Sequence, residues 1–135
     1  MTYLVDANVL SEATKPLPDP RAIEWLIANE GEFVVDSVIL GEMYFGILVL
    51  PRGRKRNQLE QWFADVVQKI ECLPWDVAVG LRWASLLVDL KKKGHTVPVL
   101  DAMIAATAHT HDLTVATRNV RHFNKTGVRV VNPFE

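Results

Sequence analysis

Short apolar runs alternate with longer stretches of helical periodicity along the chain. The runs are rich in β-branched residues, which favours strands. Strands are predicted at residues 2–5, 32–35, 71–73, 114–117 and 128–131. The third run is weak, and the last is a candidate edge strand.

Between these runs, apolar residues recur every three or four positions, which is the spacing of one helix face. Asp19 followed by Pro20 is typical of an N-cap residue followed by a proline in the first position of a helix. Ser37 can cap the helix that follows the second strand. Helices are predicted after Asp19, after Ser37, over 59–70, from Asp76 to about Lys93, and from about Leu100 to His111. Strands that alternate with helices predict an α/β layer fold with a central, mostly parallel sheet.

The helix after Asp76 carries two apolar stripes where a surface helix needs one. We expect one stripe to face the core and the other to form an interface with a second copy or a partner protein. The stripes are Val77, Leu81, Ala84 and Val88, and Trp83, Leu86 and Leu90.

The composition is that of a globular protein and narrows the function classes. With 135 residues, 49% hydrophobic and 23% charged, the chain is expected to form a single domain over residues 1–135. Cys72 is the only cysteine, which excludes an internal disulfide and a multi-cysteine zinc site and favours a reducing cytoplasm. No signal peptide or membrane-spanning segment is predicted.

The net charge of −1 argues against a strongly basic nucleic-acid coat, so any contact with nucleic acid must come from local patches. One basic segment contains Arg52, Arg54, Lys55 and Arg56, and a second is residues 91–93. Both are also compatible with solvated turns or helix ends.

Three carboxylates stand alone in long apolar stretches. Asp6 is the only charged residue in 1–10, Glu42 in 38–50 and Asp101 in 97–108. Acids in such surroundings are buried or lie at the edge of a buried layer, where they need a partner or a metal.

The positions of these acids predict one site. Asp6 ends the first strand, Glu42 lies in the second turn of the helix after the second strand, and Asp101 opens a later helix. In open α/β sheets, ligands bind beyond the carboxyl ends of the strands. Residues 117–119 follow the fourth strand and belong to that edge. An oxygen-only set without a neighbouring Lys or Arg suits Mg²⁺ or Mn²⁺, and that chemistry indicates metal-assisted phosphodiester hydrolysis.

Each acid also has a simpler interpretation. Asp6 could cap the turn before Asn8. Asp101 could be only an acid at a helix N-terminus, where its negative charge interacts favourably with the helix dipole. Glu42 could pair with a distant arginine such as Arg82 or Arg118. Asp36 and Asp76 are best explained as N-cap or turn residues.

Four segments together resemble the PIN-domain ribonucleases and, within them, the VapC-type toxins of bacterial toxin–antitoxin pairs. They span nearly the whole chain in the expected order: YLVDANVLSE, SVILGEMYFGI, VPVLDAMIAATA and TVATRNVRHFNKTGVRVVNPF.

The resemblance implies a three-layer PIN-like domain with about five strands, and RNA cleavage with Mg²⁺ or Mn²⁺. Asp6, Glu42 and Asp101 match the family's principal metal-binding acids. Asn8 matches a polar position after the first acid, and Thr117 with Asn119 matches the fourth acidic corner. The implied partners are RNA, a second copy of the chain, and a cognate antitoxin whose C-terminal segment enters the acidic site.

One departure affects the metal expectation. Relatives commonly carry a fourth acid in the segment TRNVRHF, often where His122 stands. Asn119 can ligate a cation through its carbonyl oxygen but brings no charge. We therefore expect a well-held first metal and a weak second one, with His122 either a surface residue or a phosphate contact.

Two other functions compete with the nuclease. A catalytically weak module that keeps the fold and binds antitoxin or RNA is the first, supported by the missing acid. A phosphoaspartate protein is the second, but the phosphatase type would require a second Asp where Asn8 stands.

Overall fold

A five-stranded parallel sheet forms the centre of the computed structural model, which describes all 135 residues. The strands are β1 (Tyr3–Val5), β2 (Phe33–Asp36), β3 (Glu71–Leu73), β4 (Thr114–Ala116) and β5 (Val130–Val131). Their order is β3-β2-β1-β4-β5, and every neighbouring pair is parallel. The sheet therefore has all its carboxyl ends at one edge.

Seven α-helices flank the sheet. They are α1 (Ala7–Leu10), α2 (Pro20–Ala28), α3 (Ser37–Leu48), α4 (Arg54–Asp65), α5 (Val77–Lys93), α6 (Val99–His111) and α7 (Val120–Asn124). Two short 3₁₀ helices follow α1 and α4, at Ser11–Thr14 and Val67–Lys69. The predicted layered α/β fold with a parallel sheet is confirmed, and β5 lies at an edge as expected.

The N-caps show where the sequence interpretation was right and where it was wrong. Asp19 accepts a hydrogen bond from the Arg21 amide and Pro20 opens α2, as predicted. The cap of α3 is Asp36, whose Oδ1 accepts the Ile39 N–H at 2.8 Å, so the assignment of this cap to Ser37 was wrong.

The helix expected over 59–70 occupies Arg54–Asp65 instead, and its last predicted turn is 3₁₀. The first turn of this helix is basic and polar. The apolar spacing that predicted the helix begins only at Leu59, after the helix has already started. The short helices α1 and α7 were not predicted, because four or five residues are too few to show a helical period.

The core lies on both faces of the central strands, which explains their largely apolar character. Leu4, Val5, Val35 and Val115 are fully buried. Helix α6 is buried through most of its length, and its four alanines allow it to pack closely against α5.

The two stripes of α5 separate as expected. Leu86 and Leu90 are buried, whereas Val77 is 77% and Leu81 69% exposed. Gly94 ends the helix in the left-handed conformation, with φ 68°. Helix α5 therefore presents an apolar face to solvent. None of the helices combines the length and the apolar character needed to cross a membrane.

Helix α6 offers a matched test of this packing. Ile104 is fully buried, whereas Val99 on the same helix is 68% exposed. We expect Ile104→Ala to lower the free energy of unfolding by about 2–5 kcal/mol, because it leaves a cavity. Val99→Ala should change it by less than about 0.5 kcal/mol. Urea unfolding followed by circular dichroism measures both, and equal effects would contradict the assigned burial.

Candidate active site

Asp6 lies at the centre of the carboxyl edge, directly after β1, and is 2% exposed. Its Oδ1 accepts the Ala7 N–H at 2.8 Å and so caps α1. Its Oδ2 accepts the Thr117 hydroxyl at 2.7 Å and a longer bond, 3.3 Å, from the Asn8 amide. The capping interpretation is therefore correct, but it accounts for only one of the two carboxylate oxygens.

Glu42 lies in the second turn of α3, half-buried, and forms no hydrogen bond or ion pair. Burial raises the pKa of its carboxyl group to about 7, and the charges of Asp6, Asp101 and Asp36 contribute. The suggested pairing with an arginine was wrong, since Arg118 lies 3.7 Å from Glu12 instead. Glu42 is thus an acid without a compensating cation.

Asp101 lies in the first turn of α6 and is 7% exposed. Its Oδ2 is 2.8 Å from Nδ1 of His122 on α7. The placement at a helix N-terminus is favourable for a carboxylate. The charge of Asp101 also raises the pKa of Asp6 and of Glu42, so the three acids influence one another electrostatically.

The pKa of Asp6 is raised, with burial as the largest cause. The hydrogen bonds from Thr117 and from the Ala7 amide oppose this rise, and the charges of Asp101 and Asp36 add to it. Burial and mutual repulsion therefore both favour protonation of this edge in the absence of a cation.

Asn8, Thr117 and Asn119 connect the end of β4 to α1. The Arg118 N–H donates to Asn8 Oδ1 at 3.1 Å, and the Asn119 N–H donates to the Thr117 hydroxyl at 3.0 Å. Asn119 itself is exposed. A cavity of about 330 Å³ opens here, lined by Asp6, Ala7, Asn8, Ser11, Glu42, Met43, Gly46 and Asn119.

Sequence reasoning missed the contact between His122 and Asp101 and the full role of Asp36. Asp36 caps α3, as the turn or N-cap interpretation expected, but it is also fully buried and accepts the Thr107 hydroxyl at 2.6 Å. Neither contact has a signal in the sequence, because the partners are 21 and 71 residues apart.

The basic segment is not part of this cavity. Arg52 and Arg56 line a separate polar cavity at the start of α4, and Arg56 pairs with Glu60 at 3.0 Å. A cavity of about 670 Å³ lies elsewhere again, between α2 and the end of α4, with Leu26, Phe33 and Trp62 in its mainly apolar lining. An apolar groove is unsuited to a polyanion, so we place the chemistry at the smaller acidic cavity.

The donor set fits a divalent cation that keeps part of its water shell. No three Asp, Glu, His or Cys side chains converge closely enough to form a ready ligand cage. Mg²⁺ needs no such cage, since it usually binds through one or two carboxylates and retains several waters. All the donors lining the cavity are oxygen or amide groups, and the carboxyl of Glu42 has no other partner.

Comparison with known proteins identifies related proteins. Residues 3–128 match the family model of the PIN domain. The chain is 32% identical to the VapC ribonuclease Y4jK of Sinorhizobium fredii, over 98% of this chain and 97% of that protein. It is 33% identical to toxin FitB of Neisseria gonorrhoeae, over 97% of both chains.

Solved structures show the same fold. The FitAcB structure from Neisseria gonorrhoeae superposes with a TM-score of 0.94 at 31% identity and covers 99% of each chain. The DNA-bound VapBC structure from Salmonella typhimurium superposes with a TM-score of 0.83 at 22% identity, covering 98% of each chain, and supports the fold alone.

The raised pKa of Glu42 predicts that this residue makes the free energy of unfolding depend on pH when chelator keeps the protein free of cations. The pKa rises from an ordinary 4.5 to about 7 on folding. The contribution of Glu42 to the free energy of unfolding is therefore fully present below pH 4.5 and is lost as the pH rises through 7. We expect Glu42→Gln to stabilise the cation-free protein at pH 8 by about 1–2 kcal/mol, after a discount for its partial exposure.

The gain should shrink towards pH 5, where wild-type Glu42 is protonated. Urea unfolding at both pH values measures it, and Glu24→Gln on the exposed side of α2 is the control. A gain that does not depend on pH would argue against a raised pKa.

Proposed function

The chain belongs to the PIN-domain family and has VapC-type toxins among its relatives, and we propose that it is the toxin of a toxin–antitoxin pair that hydrolyses RNA with a divalent cation. One observation carries the proposal. Glu42 is a half-buried carboxyl group with a pKa of about 7, it shares an edge with Asp6 and Asp101, and it has no cationic partner in the chain.

We assign Asp6, Glu42 and Asp101 to binding of Mg²⁺ or Mn²⁺, with the Asn119 carbonyl oxygen as a neutral additional ligand. When bound, such a cation polarises a phosphodiester oxygen and lowers the pKa of a water molecule. Asn8 and Thr117 hold Asp6 in place through their hydrogen bonds to its Oδ2. Near pH 7 the carboxyl group of Glu42 is partly protonated, so cation binding should release a proton from it.

The fourth corner of the site is neutral or basic in this chain. Asn119 replaces an acid there, and His122 lies against Asp101 Oδ2, which leaves Oδ1 as the freer oxygen of that carboxylate. We infer one well-held cation and a weak second one that is recruited with the phosphodiester. His122 is 39% exposed and is available to contact a phosphate.

The basic segment at the start of α4 is proposed to form the rim that holds RNA when a dimer sets two acidic sites side by side. Arg52, Arg54 and Lys55 are exposed and form no ion pair, whereas Arg56 is paired with Glu60. Free arginines and lysines bind phosphates without reading sequence, so this contact would supply affinity.

We propose two protein partners. The chain is similar, at 27% identity, to VapBC-5 of Mycobacterium tuberculosis, a member of the VapBC family of toxin–antitoxin systems, which supports a cognate antitoxin. We propose that the C-terminal segment of this antitoxin enters the acidic cavity. The exposed stripe of α5 suits a second copy of this chain, because Val77 and Leu81 are more than two-thirds exposed. A single domain over residues 1–135 and a reducing cytoplasmic setting stay predictions.

A weak binding module is the alternative function, and the missing fourth acid in the segment TRNVRHF, where Asn119 and His122 stand, favours it. In that case antitoxin or RNA would bind without cleavage. Cation-dependent cleavage is the property that separates the two.

Loss of either of two acids should abolish cleavage. We expect Asp6→Asn and Asp101→Asn each to lower the rate at least about a hundredfold, because each removes a charged oxygen ligand. Total cellular RNA incubated with antitoxin-free protein and Mg²⁺ or Mn²⁺ measures this, with chelator in a parallel sample. Asp89→Asn, on the exposed side of α5, is the control.

Cleavage that persists in both variants would indicate a contaminating nuclease. Wild-type protein that binds RNA but leaves it intact with either cation would support the binding module.

Neutralising the basic segment should weaken RNA binding in a salt-dependent manner. We test the combined Arg52→Gln, Arg54→Gln and Lys55→Gln variant. In a plot of the logarithm of the RNA association constant against the logarithm of the salt concentration, we expect the negative slope to become shallower by about 2, since each lost phosphate contact contributes about 0.7. Filter binding with chelator measures affinity without cleavage. The matched control neutralises Lys91, Lys92 and Lys93, and an equal loss there would show that only net charge matters.

A further inference from the structure

Asp36 is a buried carboxylate for which the proposed chemistry has no direct use. It ends β2, is fully buried, and accepts the Ile39 N–H at 2.8 Å and the Thr107 hydroxyl at 2.6 Å. The Val38 N–H also donates to it. All its partners are therefore donors, which favours the ionised form, but burial has the larger effect and raises the pKa of its carboxyl group above the ordinary value.

Hydrogen bonding alone does not require a charge at this position. An asparagine could accept the Ile39 N–H through its oxygen and donate its amide to the Thr107 hydroxyl. Asp76 caps α5 in the same way, with Oδ1 3.1 Å from the Val79 nitrogen, but it does so at the surface. A buried carboxylate costs free energy that a neutral cap would avoid.

The charge of Asp36 is felt at the acidic site. It contributes to the raised pKa of Asp6 and of Glu42, although no contact joins it to either residue. Asp36 ends β2, whereas the corner that lacks an acid, at Asn119, follows β4. The site thus has a further negative charge on the opposite side of β1 from that corner.

The Thr107 hydroxyl gives Asp36 a second role. Thr107 lies on α6 and is fully buried, and Asp36 is the N-cap of α3. Helix α3 carries Glu42 and helix α6 carries Asp101. The Asp36–Thr107 bond is therefore a direct link between the two helices that supply these acids.

We propose that Asp36 is a positioning residue of the cation site, whose buried negative charge strengthens divalent-cation binding without ligation and whose bond to Thr107 sets α3 against α6. This inference rests on the proposed function, since it assumes a cation at Asp6, Glu42 and Asp101. It also explains how the chain can hold a first cation although its fourth corner is neutral.

Binding of Mn²⁺ alone tests the charge. Isothermal titration of the antitoxin-free full chain should give a dissociation constant about three- to thirtyfold higher for Asp36→Asn than for wild type, the size expected for one partly screened charge. Asparagine can keep the hydrogen bonds with Ile39 and Thr107, so the thermal transition should stay close to that of wild type. Asp76→Asn is the matched control: it removes the same charge from the same kind of cap and should leave Mn²⁺ affinity unchanged.

A pair of variants at Thr107 tests the link between the helices. Thr107→Val removes the hydroxyl at similar volume and should weaken Mn²⁺ binding, whereas Thr107→Ser keeps the hydroxyl and should restore it. Thr110→Val, one turn along α6, removes a hydroxyl that bonds only to the Ala106 carbonyl and serves as the control. If Asp36→Asn does not fold, the Mn²⁺ affinities of Thr107→Val and Thr107→Ser still test whether the bond to Asp36 supports the cation site.

The outcomes separate this inference from the proposed function. Wild-type affinity in Asp36→Asn, together with weaker binding in Glu42→Gln, would overturn the role of Asp36 and leave the cation site standing. If the wild-type chain binds no Mn²⁺, the proposed function fails and this inference fails with it. Weaker binding in Asp36→Asn, and in Thr107→Val with rescue by Ser, supports both parts.

Discussion

The mutual repulsion of carboxylates at one edge of the sheet is the constraint on which the rest of the site depends. Asp6, Glu42 and Asp101 lie within electrostatic reach of one another, and Asp36 adds its charge. Water screens such repulsion poorly where the groups are buried. The protein can relieve it by taking up protons or by binding a cation. Glu42 favours the first solution, because burial, with a contribution from the neighbouring charges, raises its pKa to about 7.

The parallel sheet is what brings these charges together. Every strand ends at the same edge, so residues far apart in sequence become neighbours there. Thr117 is 111 residues from Asp6, yet its hydroxyl bonds to the Asp6 carboxylate at 2.7 Å. The alanines of α6 then allow close packing against α5, so that Asp101 is held at the same edge by a rigid helix. The apolar core therefore supplies the scaffold that keeps the repelling groups in place.

Much of this arrangement could be predicted from the sequence because its signals are local. The apolar runs located the five strands, and isolated acids in apolar stretches pointed to Asp6, Glu42 and Asp101. Contacts between distant residues left no such signal, as with His122 on Asp101 and Thr107 on Asp36. The assignment of the α3 cap to Ser37 was wrong for a related reason: Asp36 and Ser37 are both good caps, and only the backbone geometry chooses between them.

Several acids of this edge serve the fold and the site at the same time. Asp6 caps α1 with one oxygen and leaves the other to the site, and Asp36 caps α3 while its charge reaches Glu42. This sharing makes the edge sensitive to substitution, because a change made for charge also removes a cap unless asparagine replaces aspartate. It also gives the chain a physical reason to keep negative charge inside its fold. The capping bonds of Asp6 and Asp36 favour the ionised carboxylate, and so they oppose the protonation that burial and mutual repulsion favour at these two residues.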